Sequence, residues 1–65
     1  MESGIVARIF TEKYFGFIKP DKGKDVFFHR SQCEADFDRL QVGDRVMFEV
    51  EPSAKGPRAT GVVLE

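Results

Sequence analysis

The sequence predicts an all-β fold, a small five-stranded antiparallel barrel. Three observations carry this. Five short stretches have strand composition or strict alternation, with turn formers between them. Three of the five follow one another closely, and two more come after a long connection. The chain has only 65 residues, which implies one domain over 1–65, whether a whole protein or a piece of a longer one. Closing the sheet on itself removes the two edges that five open strands would expose. No internal repeat, heptad or low-complexity tract competes with this reading.

The first strand is expected from Gly4 to Phe10, where Ile5, Val6 and Ile9 favour extended backbone and Arg8 and Phe10 are interleaved. Thr11-Glu12-Lys13 is a polar link. Lys13-Tyr14-Phe15-Gly16-Phe17-Ile18 supplies the second strand and Asp25-Val26-Phe27-Phe28-His29 the third. The segment between them, Lys19-Pro20-Asp21-Lys22-Gly23-Lys24, is rich in turn residues, so the two strands form a hairpin. Ser31 stands where it would cap a short helical turn through Gln32-Cys33-Glu34. Cys33 is expected to point inward as a small apolar residue. An acidic, irregular stretch from Glu34 to Asp38 contains Phe37. Arg45 to Glu51 alternates, with Val46, Phe48 and Val50 on one face and Arg45, Met47, Glu49 and Glu51 on the other. After the Pro52–Pro57 loop, Ala59 to Leu64 is the last strand.

The hairpin organises the rest. A period of two puts Phe15 and Phe17 on one face, with Gly16 and Ile18 on the other. Phe27 and His29 share the first face across the turn, and Val26 and Phe28 share the second. Any single Phe is usually buried. A chain this short, however, does not bury both faces of one hairpin. One aromatic face therefore meets solvent, and an exposed apolar patch marks a binding site. Unpaired nucleobases stack on such rings, and the flanking Lys13, Lys19, Lys22, Lys24 and Arg30 suit the phosphates between them. Gly16 leaves room for tight strand curvature.

Net charge is −1, which alone does not favour nucleic acid. The distribution is uneven. Residues 1–30 hold six Lys or Arg against four Asp or Glu, and residues 31–65 hold four against seven. One cysteine permits no internal disulfide, and one cysteine with one histidine excludes a structural zinc site. No cofactor is expected. No run is long enough to span a membrane, and no apolar signal-peptide core follows Met1, so a cytoplasmic domain without membrane contact is expected. No nucleophile–base pair, paired acids in a pocket or phosphate loop points to an enzyme. His29 lacks a partner for catalysis or metal binding, and stacking is the better reading.

These residues resemble the cold-shock domain family. Lys13–Ile18 looks like the first of its ribonucleoprotein-type motifs, and Val26-Phe27-Phe28-His29 like the second. Gly4-Ile5-Val6 resembles the opening strand, Asp25 precedes the second motif as it does there, and Lys55-Gly56-Pro57-Arg58-Ala59 resembles the approach to the final strand. The likeness covers nearly the whole chain. It implies the oligonucleotide-binding five-stranded barrel and a platform of Phe15, Phe17, Phe27 and His29. By the same resemblance, Lys13 contacts a phosphate or base edge, and Lys55, with Arg58 near it, belongs to a basic loop. Asp25 is either an acceptor for a base or a turn-stabilising carboxylate. Phe37 is either a further stacking ring or a loop anchor folded onto the core.

The chain departs from the family at several positions. Arg8 stands where a Trp is usual, Ile9 where a Phe is usual, and Arg30 where an aromatic follows the His. Tyr14 replaces a small residue and either adds a ring or covers a turn. Arginine both stacks on bases and pairs with phosphate, so Arg8 and Arg30 stay among the expected contacts. The implied function is binding of single-stranded RNA or DNA by a monomer, with low sequence selectivity, as an RNA chaperone or regulator. The alternative is a protein-interaction barrel with a weakened nucleic-acid face.

Overall fold

The computed structural model describes residues 1–34, 36–54 and 56–65. Its strands are β1 (Glu2–Phe10), β2 (Phe15–Pro20), β3 (Val26–His29), β4 (Arg45–Glu51) and β5 (Arg58–Leu64). They close into a barrel in the order β1-β2-β3-β5-β4. All pairings are antiparallel except one: β3 meets β5 in parallel, with Phe27 opposite Arg58. This is a local correction to an all-antiparallel barrel. The chain reaches β5 through the β3–β4 connection and β4, so β5 runs alongside β3 in the same sense.

The hairpin partition is as the period of two requires. Ile18, Val26 and Phe28 are buried, while Phe15, Phe17 and Phe27 are half-buried on the outer side. The core adds Val6, Val46, Phe48, Ala59 and Val62 from the other strands, with Ile9 and Cys33 packed against it. Gly16 is fixed by space. A Cβ there would lie 2.5 Å from the Arg8 carbonyl oxygen and 2.8 Å from the Phe28 ring.

Two register shifts decide which side chains face outward. In β1, Val6 pairs with Ile18 but Arg8 pairs with Phe17, so one extra residue sits on β1 between them. This bulge reverses the phase of the strand. Without it Arg8 would fall opposite Gly16 and point inward. With it Arg8 and Phe10 face out and Ile9 faces the core. In the β4–β5 pair the shift lies between Met47 and Glu49, opposite a stretch of β5 that includes Gly61 at φ 60°. The extra residue lies on β5, so Ala59 and Val62, three apart, are both buried. β4 keeps its alternation, and Val50, paired with Ala59, stays on the inner side but is 43% exposed near the end of the strand.

Several boundaries differ from the sequence reading: β2 runs on to Pro20, β3 begins at Val26 and not Asp25, and β5 begins at Arg58. β1 begins at Glu2, and Lys13 and Tyr14 belong to the β1–β2 turn rather than to β2. The short helical turn is a 3₁₀ turn over Arg30–Gln32, capped by His29 and not by Ser31. The imidazole Nδ1 accepts the Ser31 backbone N–H at 3.1 Å, which takes the capping role from the serine hydroxyl. A second 3₁₀ turn, Phe37–Arg39, carries Phe37 into the barrel.

Candidate nucleic-acid interface

The outer face of β1, β2 and β3 is laid out by register. One row runs Phe10, Phe15, His29; the next runs Arg8, Phe17, Phe27 and continues to Arg58 on β5. The rings touch one another. Phe15 lies 5.4 Å from Phe27 at 32°, and Phe17 meets Phe15 at 6.0 Å and Phe27 at 5.9 Å, both nearly edge to face. Such geometry holds rings in fixed orientations beyond what area burial alone supplies. Each of the three is packed on one side and open on the other, as a stacking surface requires.

The flanking groups are distributed as follows. Arg8 is exposed beside Phe17. His29 is exposed, with Nδ1 engaged by Ser31, so the neutral ring carries its proton on Nε2. Arg30 places its guanidinium carbon 5.2 Å from the centre of the Tyr14 ring, and its backbone N–H donates to the Tyr14 carbonyl oxygen at 2.8 Å. Tyr14 thus both covers a turn and presents a ring, stacked under a cation. Lys13 is exposed in the turn after Phe10. The Asp25 carboxylate is exposed and, among the described residues, takes no hydrogen bond from the loop around it.

Beyond Phe17 and Phe27 the β4–β5 loop overhangs the sheet. It leaves a cleft of about 500 Å³ lined by those rings, Ser53, Ala54, Gly56, Pro57 and Arg58. Ser53 and Gly56 exchange backbone hydrogen bonds at 3.1 and 3.0 Å, and the Ser53 hydroxyl also donates to the Gly56 carbonyl oxygen. Arg58, on the cleft rim, is held by Glu51 through Nε at 2.8 Å and through a second nitrogen on the same oxygen. Lys55 lies outside the described residues.

Two sequence expectations change. Phe37 is 3% exposed and packs 6.0 Å from Phe28 inside the barrel. It is the loop anchor, and the buried ring offers no face to a base. Phe10, absent from the expected site, is 38% exposed and lies 4.9 Å from Phe15. Its spacing of two from Arg8 was the available signal, since two residues so spaced on a strand share a face. At the opposite end of β1, Arg45 joins Asp21 at 3.1 Å and Glu65 at 2.7 Å. Glu65 and then Asp21 raise the Arg45 pKa above its ordinary value. Among the described residues no three His, Cys, Asp or Glu side chains come together as a metal site.

With this geometry in place, residues 2–65 match the 'cold-shock' DNA-binding domain family. The chain belongs to the cold-shock domain family. It is 44% identical over 63 residues to the cold shock protein CspC of Bacillus subtilis (strain 168), covering 95% of this chain and 96% of that one. It is 47% identical over 66 residues to a cold shock protein of Arthrobacter globiformis, covering 98% of each. In structure it is similar to Drosophila Unr CSD456, with a TM-score of 0.81 and 22% identity over 98% of this chain. The chain spans 26% of that longer structure, which is a likeness of fold. Cold-shock domains are generally nucleic-acid-binding. Among the described residues no helix is long and apolar enough to cross a membrane.

Proposed function

We propose that this cold-shock domain binds single-stranded RNA or DNA across the outer face of β1, β2 and β3. One observation carries the reading: Phe15, Phe17 and Phe27 touch one another on a face that the barrel leaves open. Bases stack on these rings, and His29 extends the row at one end. Arg8, Lys13 and Arg30 supply positive charge along the path. Because every base has a flat face, selectivity among sequences is low. The protein acts as a binding module and not as an enzyme. It traps unpaired strands as a monomer in the cytoplasm, which is the action of an RNA chaperone or of a regulator of transcription and translation.

The test is titration of labelled oligo-dT and oligo-U against a duplex of equal length. Single strands bind much more tightly, because paired bases hide their faces. Equal affinity for duplex would mean that cations alone drive association. No binding to either would leave the barrel as a protein-interaction domain.

A further inference from the structure

The sheet face does not end at Phe15. Phe10 continues the row, its ring 4.9 Å from that of Phe15 and tilted by 31°. It is 38% exposed although it belongs to a strand whose other large side chain of the same stretch, Ile9, packs on the core. Beside the ring lies a hollow of about 240 Å³ lined by Ile9, Phe10, Thr11, Glu12 and Lys13. Ring, hollow and cation thus stand at one point, at the end of the platform remote from the β4–β5 loop.

We propose that Phe10 and Lys13 form one further nucleotide position of the single-strand site. This rests on the reading of the platform as a single-strand site and extends it. One face of Phe10 packs towards Phe15, and the other is open to a base. Thr11 and Glu12 offer an exposed hydroxyl and carboxylate to a base edge, and Lys13 reaches the phosphate that follows. A second copy of the chain is the other conceivable occupant. The polar lining and the single exposed cation suit a nucleotide better than an apolar dimer contact. The β1 bulge creates the position, because it alone brings Phe10 to the outer face. The ring also gives β1 a stacking surface, where Arg8 at the end of the neighbouring row presents a cation.

The measurement is fluorescence anisotropy with labelled oligo-dT strands of about four to eight nucleotides, within the range one barrel of this kind covers. Affinity of the unaltered protein rises with length and then levels. Phe10→Leu, which keeps apolar bulk but removes the flat face, levels one nucleotide earlier. On the longest strand it loses roughly 5- to 150-fold, the equivalent of one base–aromatic stack. Phe10→Tyr retains the full site size. Lys13→Gln flattens the salt dependence on long strands only, by about 0.7 in slope. Should the unaltered protein bind no single strand, both the platform reading and this extension fail. Should it bind while Phe10→Leu shows the same levelling length and affinity, the extension alone fails. A Phe10-dependent dimer in sedimentation velocity, with unchanged strand affinity, would also overturn it.

Discussion

Tyr14 holds φ at 60°, a left-handed conformation that side chains other than glycine disfavour. The strain costs about 1–2 kcal/mol. Arg30 lies over the ring and its N–H binds the Tyr14 carbonyl oxygen, so the position ties β3's exit to the β1–β2 turn. Replacing the tyrosine tests the strain directly. Tyr14→Gly and Tyr14→Ala both lose the ring, but only glycine accepts the backbone. Thermal or denaturant unfolding should find Tyr14→Gly the more stable by roughly 1 kcal/mol. Equal stability would show that the turn relaxes freely. The phenylalanines divide as sharply. Phe28 is fully buried, and Phe28→Ala costs about 3–5 kcal/mol. A domain of this size holds only about 3–5 kcal/mol in total, so that variant should be largely unfolded by circular dichroism. Phe15→Ala, Phe17→Ala and Phe27→Ala should stay folded and weaken single-strand binding by roughly 1–3 kcal/mol each. If these three unfold while Phe28→Ala does not, the two faces are reversed.

At the scale of strands, much was legible and the bulges were not. The bounds of β4, Arg45–Glu51, follow from alternation alone. The inward set of the hairpin, Ile18, Val26 and Phe28, follows from its period of two. Phase beyond a bulge does not, because an extra residue leaves no mark in composition. That is why the outward face of Arg8 and Phe10 does not follow from the buried Val6 by alternation, although Phe10 shares the face of Arg8 two residues away. Phe37 was open between two roles because a loop ring obeys no period, and only tertiary packing decides it. The β4–β5 pair carries its own consequence. Glu51 holds Arg58 at the rim of the cleft, and both side chains are nearly half exposed. Exposed ion pairs contribute little to stability, about 0–1 kcal/mol. Glu51→Gln should therefore leave the melting temperature nearly unchanged and release the guanidinium to a phosphate. The slope of log K against log salt should steepen by about 0.7. An unchanged slope would place Arg58 away from the strand.

For the whole molecule, the charge is close to balanced yet unevenly placed. Arg8, Lys13 and Arg30 border the platform. Arg45 at the far end of β1 is neutralised by Asp21 and Glu65. With a net charge of −1 the molecule draws no general attraction for a polyanion. On the proposed reading, contact with a single strand comes from stacking and from a few local cations, and stacks resist screening where exposed charge pairs do not. This agrees with a surface in which rings occupy the centre and cations the margin.

The parallel junction between β3 and β5 is the narrowest part of the wall. Phe27 faces Arg58 there, and beyond β3 the contact continues, among the described residues, through the Cys33–Val62 bridge and the Glu34 N–H on the Val62 carbonyl oxygen, at 2.8 Å. The β1–β2 ladder, by contrast, is paired from Gly4 to Phe10. A cylinder opens first where it is least stitched, and amide hydrogens at such a place exchange with solvent through local opening. Amides of Cys33, Glu34 and the first half of β5 should therefore exchange faster than those of β1 and β2. On the proposed reading, a single strand lying from Phe17 across Phe27 to Arg58 would bridge both lips of the junction. Saturating oligonucleotide at about 100 times Kd stabilises the bound form by roughly 2.7 kcal/mol, and the slowing of exchange should be greatest along this line. The cold-shock domain would then be a ring that its own ligand fastens. Uniform slowing, or none at the junction, would mean that the strand stays on one side of it.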